Sequence, residues 1–123
     1  TLYNAVMGAN IRSTERLNHN MPVSYVGIGW DAKIAYVYID YKFKNILKHP
    51  IYISSYTSGS ILTFDIYCNE SDYDPSVTYK IRGERTGERT GDKYTVNDYL
   101  DTYKDGNLVD SEYIATDTYR DHE

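Results

Sequence analysis

The stretch Lys33-Ile34-Ala35-Tyr36-Val37-Tyr38-Ile39-Asp40-Tyr41-Lys42-Phe43-Lys44 alternates with a period of two. In an extended chain successive side chains point to opposite faces. Ala35, Val37, Ile39, Tyr41 and Phe43 share one face, and Tyr36, Tyr38, Asp40, Lys42 and Lys44 share the other. A strand over residues 33–44 with one apolar and one wet face is therefore predicted. Antiparallel sheets are the kind that leave one face to water, so the pattern favours an antiparallel sheet.

Downstream, Asn45 to Pro50 reads as a loop, followed by two strands, Ile51 to Tyr56 and Ile61 to Cys68. Thr57-Ser58-Gly59-Ser60 between them has turn chemistry, because Gly59 accepts positive φ at no steric cost. Leu62, Phe64 and Ile66 are expected inward, with Thr63 and Asp65 outward. Asn69 to Ser76 is a polar connection containing Asp74-Pro75, and Val77 to Arg82 is another strand. Gly83 to Gly91 repeats Gly-Glu-Arg-Thr with alternating charge and three glycines, which predicts a flexible strand end or an exposed loop. Residues 93–104 and 107–119 form a second hairpin about Asp105-Gly106, a strong turn signal. Tyr94, Val96 and Leu100 would pack with Leu108, Tyr113 and Ile114 across it.

Upstream, Gly27-Ile28-Gly29 marks a turn or bulge. Pro22 to Ile28 reads as a strand and Ile11 to Leu17 as a weaker one. Residues 1 to about 10 read as a helix, with Leu2, Val6 and Ala9 on one face and Ala5 beside them. Gly8 permits close packing there, and Asn10 is a C-terminal stop. A helix this short needs a sheet to hold it. The fold class is α+β: a short N-terminal helix on a mostly antiparallel, curved β-sheet with two hairpins and seven or eight strands.

The 123 residues carry a formal net charge of −5, which suits a single soluble domain and lacks the basic footprint that nucleic acids require. Fifteen residues are tyrosines. Tyrosine suits half-buried strands because its ring packs while its hydroxyl reaches water, and a tyrosine ladder also suits sugar or peptide binding. The single cysteine, Cys68, excludes an internal disulfide and a Cys-rich zinc site. It ends a strand, far in sequence from any His, and reads as a structural or incidental thiol. No Gly-rich phosphate loop, HExxH, calcium loop or Gly-x-Ser-x-Gly frame occurs, so no metal and no cofactor is expected. His49 precedes Pro50 in a loop and has no expected ligand role.

Several segments carry a family resemblance. They are Thr1-Leu2-Tyr3-Asn4-Ala5-Val6-Met7, His19, Met21-Pro22-Val23-Ser24-Tyr25-Val26, Trp30-Asp31-Ala32, Asp40-Tyr41-Lys42-Phe43-Lys44-Asn45 and Pro50-Ile51-Tyr52-Ile53. Together they resemble the VanW family, named after an accessory protein of B-type vancomycin resistance clusters. Residues 1–68 carry the likeness. Residues 69–91 read as connection and strand, and 92–119 as the C-terminal hairpin. That tail resembles the family more loosely, through Tyr103-Lys104-Asp105-Gly106 and Thr116-Asp117-Thr118-Tyr119. Trp30 stands where the family more often has Arg, and Cys68 where it tends to have Gly.

The resemblance implies a Gly-Ile-Cys-Gln-x-Ser-Thr segment immediately ahead of Thr1, so that the chain lacks the family's own cysteine and has no cysteine-dependent activity by itself. Adding that cysteine gives the chain order Cys, His19, Asp31, which looks like transglutaminase-like enzymes. A helix N-terminus favours a thiolate, an imidazole can act as its base, and a carboxylate can fix the imidazole tautomer. From the residues alone, His19 between two asparagines also fits a surface turn, and Asp31 also fits a turn cap.

Two functions follow from the resemblance. One is a cell-surface or membrane-anchored envelope domain of a Gram-positive-type bacterium, whose complete form is a cysteine-dependent enzyme acting on cell-wall peptide, with His19 as base and Asp31 as its orienting partner. The other is a non-catalytic module binding peptidoglycan or an envelope protein, with Tyr36, Tyr38 and Asp40 as contact candidates. The helix face that an upstream segment would cover could also support dimerisation.

Overall fold

The computed structural model describes residues 1–35 and 39–121. Among them the order is helix α1 (Leu2–Gly8), then β1 (Arg12–Glu15), β2 (Lys42–Lys44), β3 (Tyr52–Ser58), β4 (Ile61–Tyr67), a 3-10 turn (Glu70–Asp72), β5 (Val77–Thr90), β6 (Lys93–Lys104) and β7 (Asn107–Arg120). Every strand pair is antiparallel, and the strands divide into three sheets: β1-β2, β3-β4 and β5-β6-β7. This is an α+β architecture, not closed into a barrel. No described helix is long and apolar enough to cross a membrane.

The core lies on one face of the three-stranded sheet. Tyr3 and Met7 of α1 pack with Ile81 of β5 and Leu100 of β6, and Trp30, Ala32, Tyr41, Tyr79 and Ile114 close around them. A second cluster joins Tyr94 and Val96 of β6 to Tyr119 of β7, with Ile28 against it. Each such side chain, fully buried, contributes about 1.5–3 kcal/mol, which is what holds a seven-residue helix that could not persist alone.

The buried helix face is Tyr3, Val6 and Met7, rather than the predicted Leu2, Val6 and Ala9. The i, i+3, i+4 spacing is retained but rotated, because it sends the larger Tyr3 and Met7 side chains into the core. Asn10 ends the helix as expected. It takes positive φ (61°), its N–H bonds to Met7 O at 3.0 Å, and the Ile11 N–H reaches Val6 O at 3.1 Å. These two bonds form a Schellman close with Asn10 in the left-handed position. Gly8 is not needed for close packing: a Cβ there would meet only Tyr79 O, at 3.8 Å.

The predicted strand over residues 33–44 survives only as β2. Ala35 and Ile39 pair antiparallel with each other, N–O 2.9 and 3.0 Å, so their backbones run in opposite directions. An unbroken strand would separate Ala32 from Tyr41 by about 30 Å. Both instead pack on the same cluster, and that is what the reversal achieves. Tyr36, Val37 and Tyr38 lie outside the described residues. Pro22 to Ile28 is also not a strand. It runs as turns and bends, and Trp30 N–H bonds to Gly27 O at 3.0 Å.

The Gly-Glu-Arg-Thr repeat is a strand end. β5 continues to Thr90 with a break in register between Arg85 and Arg89, and Gly87 there has φ 85°. The Arg85 and Arg89 guanidiniums lie over the Tyr94 ring, 4.2 and 5.8 Å from its centroid, which recruits charged residues to the sheet. Both predicted hairpins form. Asp105 and Gly106 take φ 50° and 82°, the paired positive values that a two-residue turn matched to strand twist requires. In β4, Phe64 and Ile66 are partly covered, whereas Leu62 is exposed. On β7, Ile114 is covered but Leu108 and Tyr113 are exposed.

Candidate functional site

The segment between β1 and Asp31 wraps across the β5-β6-β7 sheet and brings His19 to Asp31. Asp31 Oδ2 lies 2.8 Å from His19 Nδ1 and accepts the His19 backbone N–H at 2.7 Å. Its Oδ1 accepts the Tyr119 hydroxyl proton. The Asp31 side chain is 1% exposed and the His19 ring 28%. Burial opposes ionisation of Asp31. The His19 amide, the Tyr119 hydroxyl, the His19 ring and nearby Arg16 outweigh it and hold the carboxyl below its ordinary range. An ionised Asp31 accepting at Nδ1 fixes the proton there and leaves Nε2 as the bare nitrogen. Nε2 has no hydrogen-bond partner among the described residues, and the ring is partly open to solvent. The arrangement can therefore take a proton at Nε2 from an adjacent acid.

A charged cluster lies beneath this pair. Arg16 Nε donates to the Asp31 backbone O at 2.8 Å, and Nη2 reaches Gly29 O at 3.3 Å. The guanidinium grips Asp117 with two prongs, Nη1–Oδ1 and Nη2–Oδ2, both 2.8 Å, and touches Asp98 Oδ2 at 3.2 Å. It also lies over the Tyr3 ring, 4.7 Å from the centroid, tying the cluster to α1. Burial, then the bond to and charge of Asp117, push Asp98 up to about 9 against the pull of Arg16. Two carboxyl groups thus share one guanidinium, and Asp98 is the one whose ionisation its surroundings oppose. Burial likewise raises the Tyr3 hydroxyl to about 12, despite Arg16.

Two glycines make this packing possible. A Cβ on Gly29 (φ 83°) would meet Asp98 Oδ1 at 2.1 Å, and one on Gly83 would meet Ile28 O at 2.1 Å. The 22–30 segment can therefore lie against β5 and β6 only with glycine at both positions.

The other predicted residues are dispersed. Asp40 is exposed and accepts its neighbour Tyr41's N–H at 2.8 Å. Tyr36 and Tyr38 lie outside the described residues. Cys68 is an exposed free thiol on the rim of a groove of about 350 Å³ between α1, β4 and the start of β5. His49, read as a loop residue with no ligand role, is hydrogen-bonded to Asp72. Its Nδ1 lies 3.0 Å from Asp72 Oδ2, and its backbone N–H reaches the same oxygen at 3.2 Å. Ser71 Oγ approaches the same ring nitrogen at 3.5 Å, so Ser71, His49 and Asp72 are not ordered as a relay, in which serine and carboxylate occupy opposite nitrogens. No three His, Cys, Asp or Glu among the described residues are placed to hold a metal ion.

Arg16, Asp98, Asp117 and Tyr119 were missed by sequence reasoning. One signal was present: Tyr94, Val96, Asp98 and Leu100 share one parity of β6, and all four are buried. An aspartate in register with an apolar face marks a buried charge that needs a partner. Nothing in the sequence marked Arg16 as that partner.

Comparison with known proteins places this geometry in context. Over 70 residues the chain is 31% identical to the uncharacterized protein YoaR of Bacillus subtilis (strain 168), which covers 57% of this chain and 23% of that protein. The chain thus spans less than a quarter of that relative's length. No solved structure matches the chain. The family model described as VanW like protein matches residues 1–67, which include His19, Asp31 and Arg16 but none of β5, β6 or β7. That match covers more than half of the molecule, and the chain belongs to the VanW family.

Proposed function

We propose that the chain is part of a bacterial cell-envelope domain in which His19 serves as the base, and Asp31 as its orienting partner, for a cysteine nucleophile acting on cell-wall peptide. The observation that carries this reading is the 2.8 Å contact between His19 Nδ1 and an Asp31 carboxylate kept ionised by three hydrogen bonds. The thiol would come from the Gly-Ile-Cys-Gln motif that the family resemblance places ahead of Thr1, not from Cys68. His19 Nε2 would accept the thiol proton as sulfur attacks the peptide carbonyl. It would then return that proton to the departing amine, leaving an acyl-thioester for water or a second amine to resolve. The test is a chain extended upstream by the cysteine segment, with thiol alkylation followed against pH. His19→Ala is expected to slow labelling near neutral pH on the order of tenfold. Equal rates in both proteins would remove His19 as the base.

A second reading, a module that binds wall polymer or an envelope protein, is favoured by the β3-β4 hairpin. Tyr52, Tyr56, Ile61 and Tyr67 share one face of it, all exposed, with Tyr52 and Tyr67 rings 6.0 Å apart. Paired exposed rings give a platform for sugar or peptide. Co-sedimentation with purified wall sacculi at low salt, lost in Tyr52→Ala, would support it, and no retention of the wild-type chain would remove it.

A further inference from the structure

We infer that Tyr119 is a positioning residue of the His19–Asp31 pair, so that the β5-β6-β7 sheet is a working part of the site. This rests on the reading of His19 as the base and deepens it. Asp31 has two carboxylate oxygens. Oδ2 is occupied by the amide and ring of His19, and Oδ1 by the Tyr119 hydroxyl. A carboxylate held at one oxygen pivots about its Cβ–Cγ bond, and one held at both does not.

The direction of the protons is also set. Gly29 N–H donates to the Tyr119 oxygen at 2.9 Å, which uses the hydroxyl as an acceptor. The single hydroxyl proton then goes to Asp31. Asp31 accepts from every side, so the His19 nitrogen facing it must carry the proton. The chain Gly29, Tyr119, Asp31, His19 has one polarity from end to end.

The Tyr119 ring is itself fixed. It is buried and stacks on Tyr94 with centroids 5.9 Å apart. Two residues earlier on the same face of β7, Asp117 is clamped by Arg16, whose Nε holds the Asp31 backbone. The strand that delivers the hydroxyl is therefore tied to the segment that receives it. Burial and the bond to Asp31 raise Tyr119 far above its ordinary value, so the donor stays protonated. Tyr119, Tyr94 and Asp117 all lie outside residues 1–67, the part matched to the family.

The experiment is long-range ¹H–¹⁵N correlation NMR of the His19 ring in the intact chain above the imidazole titration range, which reads the tautomer directly. The wild type is expected to show one tautomer, protonated at Nδ1. Tyr119→Phe is expected to lower the Nδ1–H to Nε2–H ratio by about tenfold, the effect of losing one hydrogen bond to a charged group. Tyr94→Leu loosens the same aromatic stack without touching that bond, and is expected to leave the tautomer unchanged. A folded Tyr119→Phe with the wild-type pattern would overturn the inference, as would equal changes in both variants. If Tyr119→Phe does not fold, wild-type protein labelled with ¹³Cζ-tyrosine decides the matter. A slowly exchanging Tyr119 hydroxyl proton is expected, and a freely exchanging one overturns the inference. No thiol enters this measurement. A Tyr119-dependent tautomer together with a thiol indifferent to His19 would therefore keep this inference and remove the proposed function.

Discussion

Among the described residues, two histidine–aspartate pairs are built on the same local plan. In each, the histidine backbone N–H and Nδ1 converge on one oxygen of an aspartate. What lies behind the carboxylate differs. Asp31 has Tyr119 on its second oxygen and Arg16 against its backbone. Asp72 sits in a one-turn 3-10 segment, with no other hydrogen bond to its carboxylate among the described residues, and the His49 ring is 44% exposed. The comparison teaches that a histidine bonded to a carboxylate is a local motif that a loop can make by itself. A histidine held in one orientation needs long-range structure behind the carboxylate.

The comparison breaks most sharply at Arg16. Arg16→Met leaves Asp117 and Asp31 buried with no cation, and is expected to cost about 3–5 kcal/mol, read as a lowered urea midpoint. A cost below about 1 kcal/mol would mean that the cluster does not hold the Asp31 segment.

Next come the two aspartates themselves. Asp31→Asn loses the charge that accepts three hydrogen bonds and is expected to cost about 1–3 kcal/mol. Asp72→Asn, in a more exposed pair, is expected to cost less than about 1 kcal/mol. Equal costs in thermal unfolding would erase the distinction between the pairs. Asp31 adds an acid limb: its carboxyl titrates below the ordinary range, so its contribution is lost as pH falls through that depressed value.

A further prediction sharpens the picture of the buried charge. Asp98 is raised to about 9, well above the value near 3.9 expected in an unfolded chain. Its stabilising contribution is complete below about pH 4 and is lost as pH rises toward 9, because the unfolded chain gives up the proton first. Asp98→Asn keeps the shape without titrating. It is expected to gain on the order of 1–2 kcal/mol at about pH 8 and to flatten the decline. Unchanged pH dependence in differential scanning calorimetry would show that Asp98 is ionised in the fold.

The elements that were readable from the sequence are those decided within a few residues. Asp105-Gly106, Gly59 and Asn10 each need positive φ, and each takes it. The unreadable elements were decided at long range. The alternation of residues 33–44 is real, and Tyr41 and Phe43 are indeed the more buried positions of its last part. The chain still bends at Ala35 and Ile39, because both ends find the same core. Gly83 to Gly91 reads as a strand end or a loop, and it is strand because Tyr94 offers a face to its arginines. At the candidate site, His19 and Asp31 could be named from their motifs. The groups that hold them are spread from Arg16 to Tyr119, and no local pattern joins those two positions.

The hydrogen bond from Tyr119 to Asp31 closes a span of 88 residues, and the ion pair from Arg16 to Asp117 one of 101. Contacts of such separation are the slow ones in folding, since loop closure must come before they can contribute. On the ribosome, His19 and Asp31 emerge well before the strand that fixes them. The site is therefore assembled late, after β7 has paired with β6. A chain stalled or clipped before β7 would carry both residues of the pair without the hydroxyl on the second Asp31 oxygen, so that hydrogen bond reports that the whole sheet has been made.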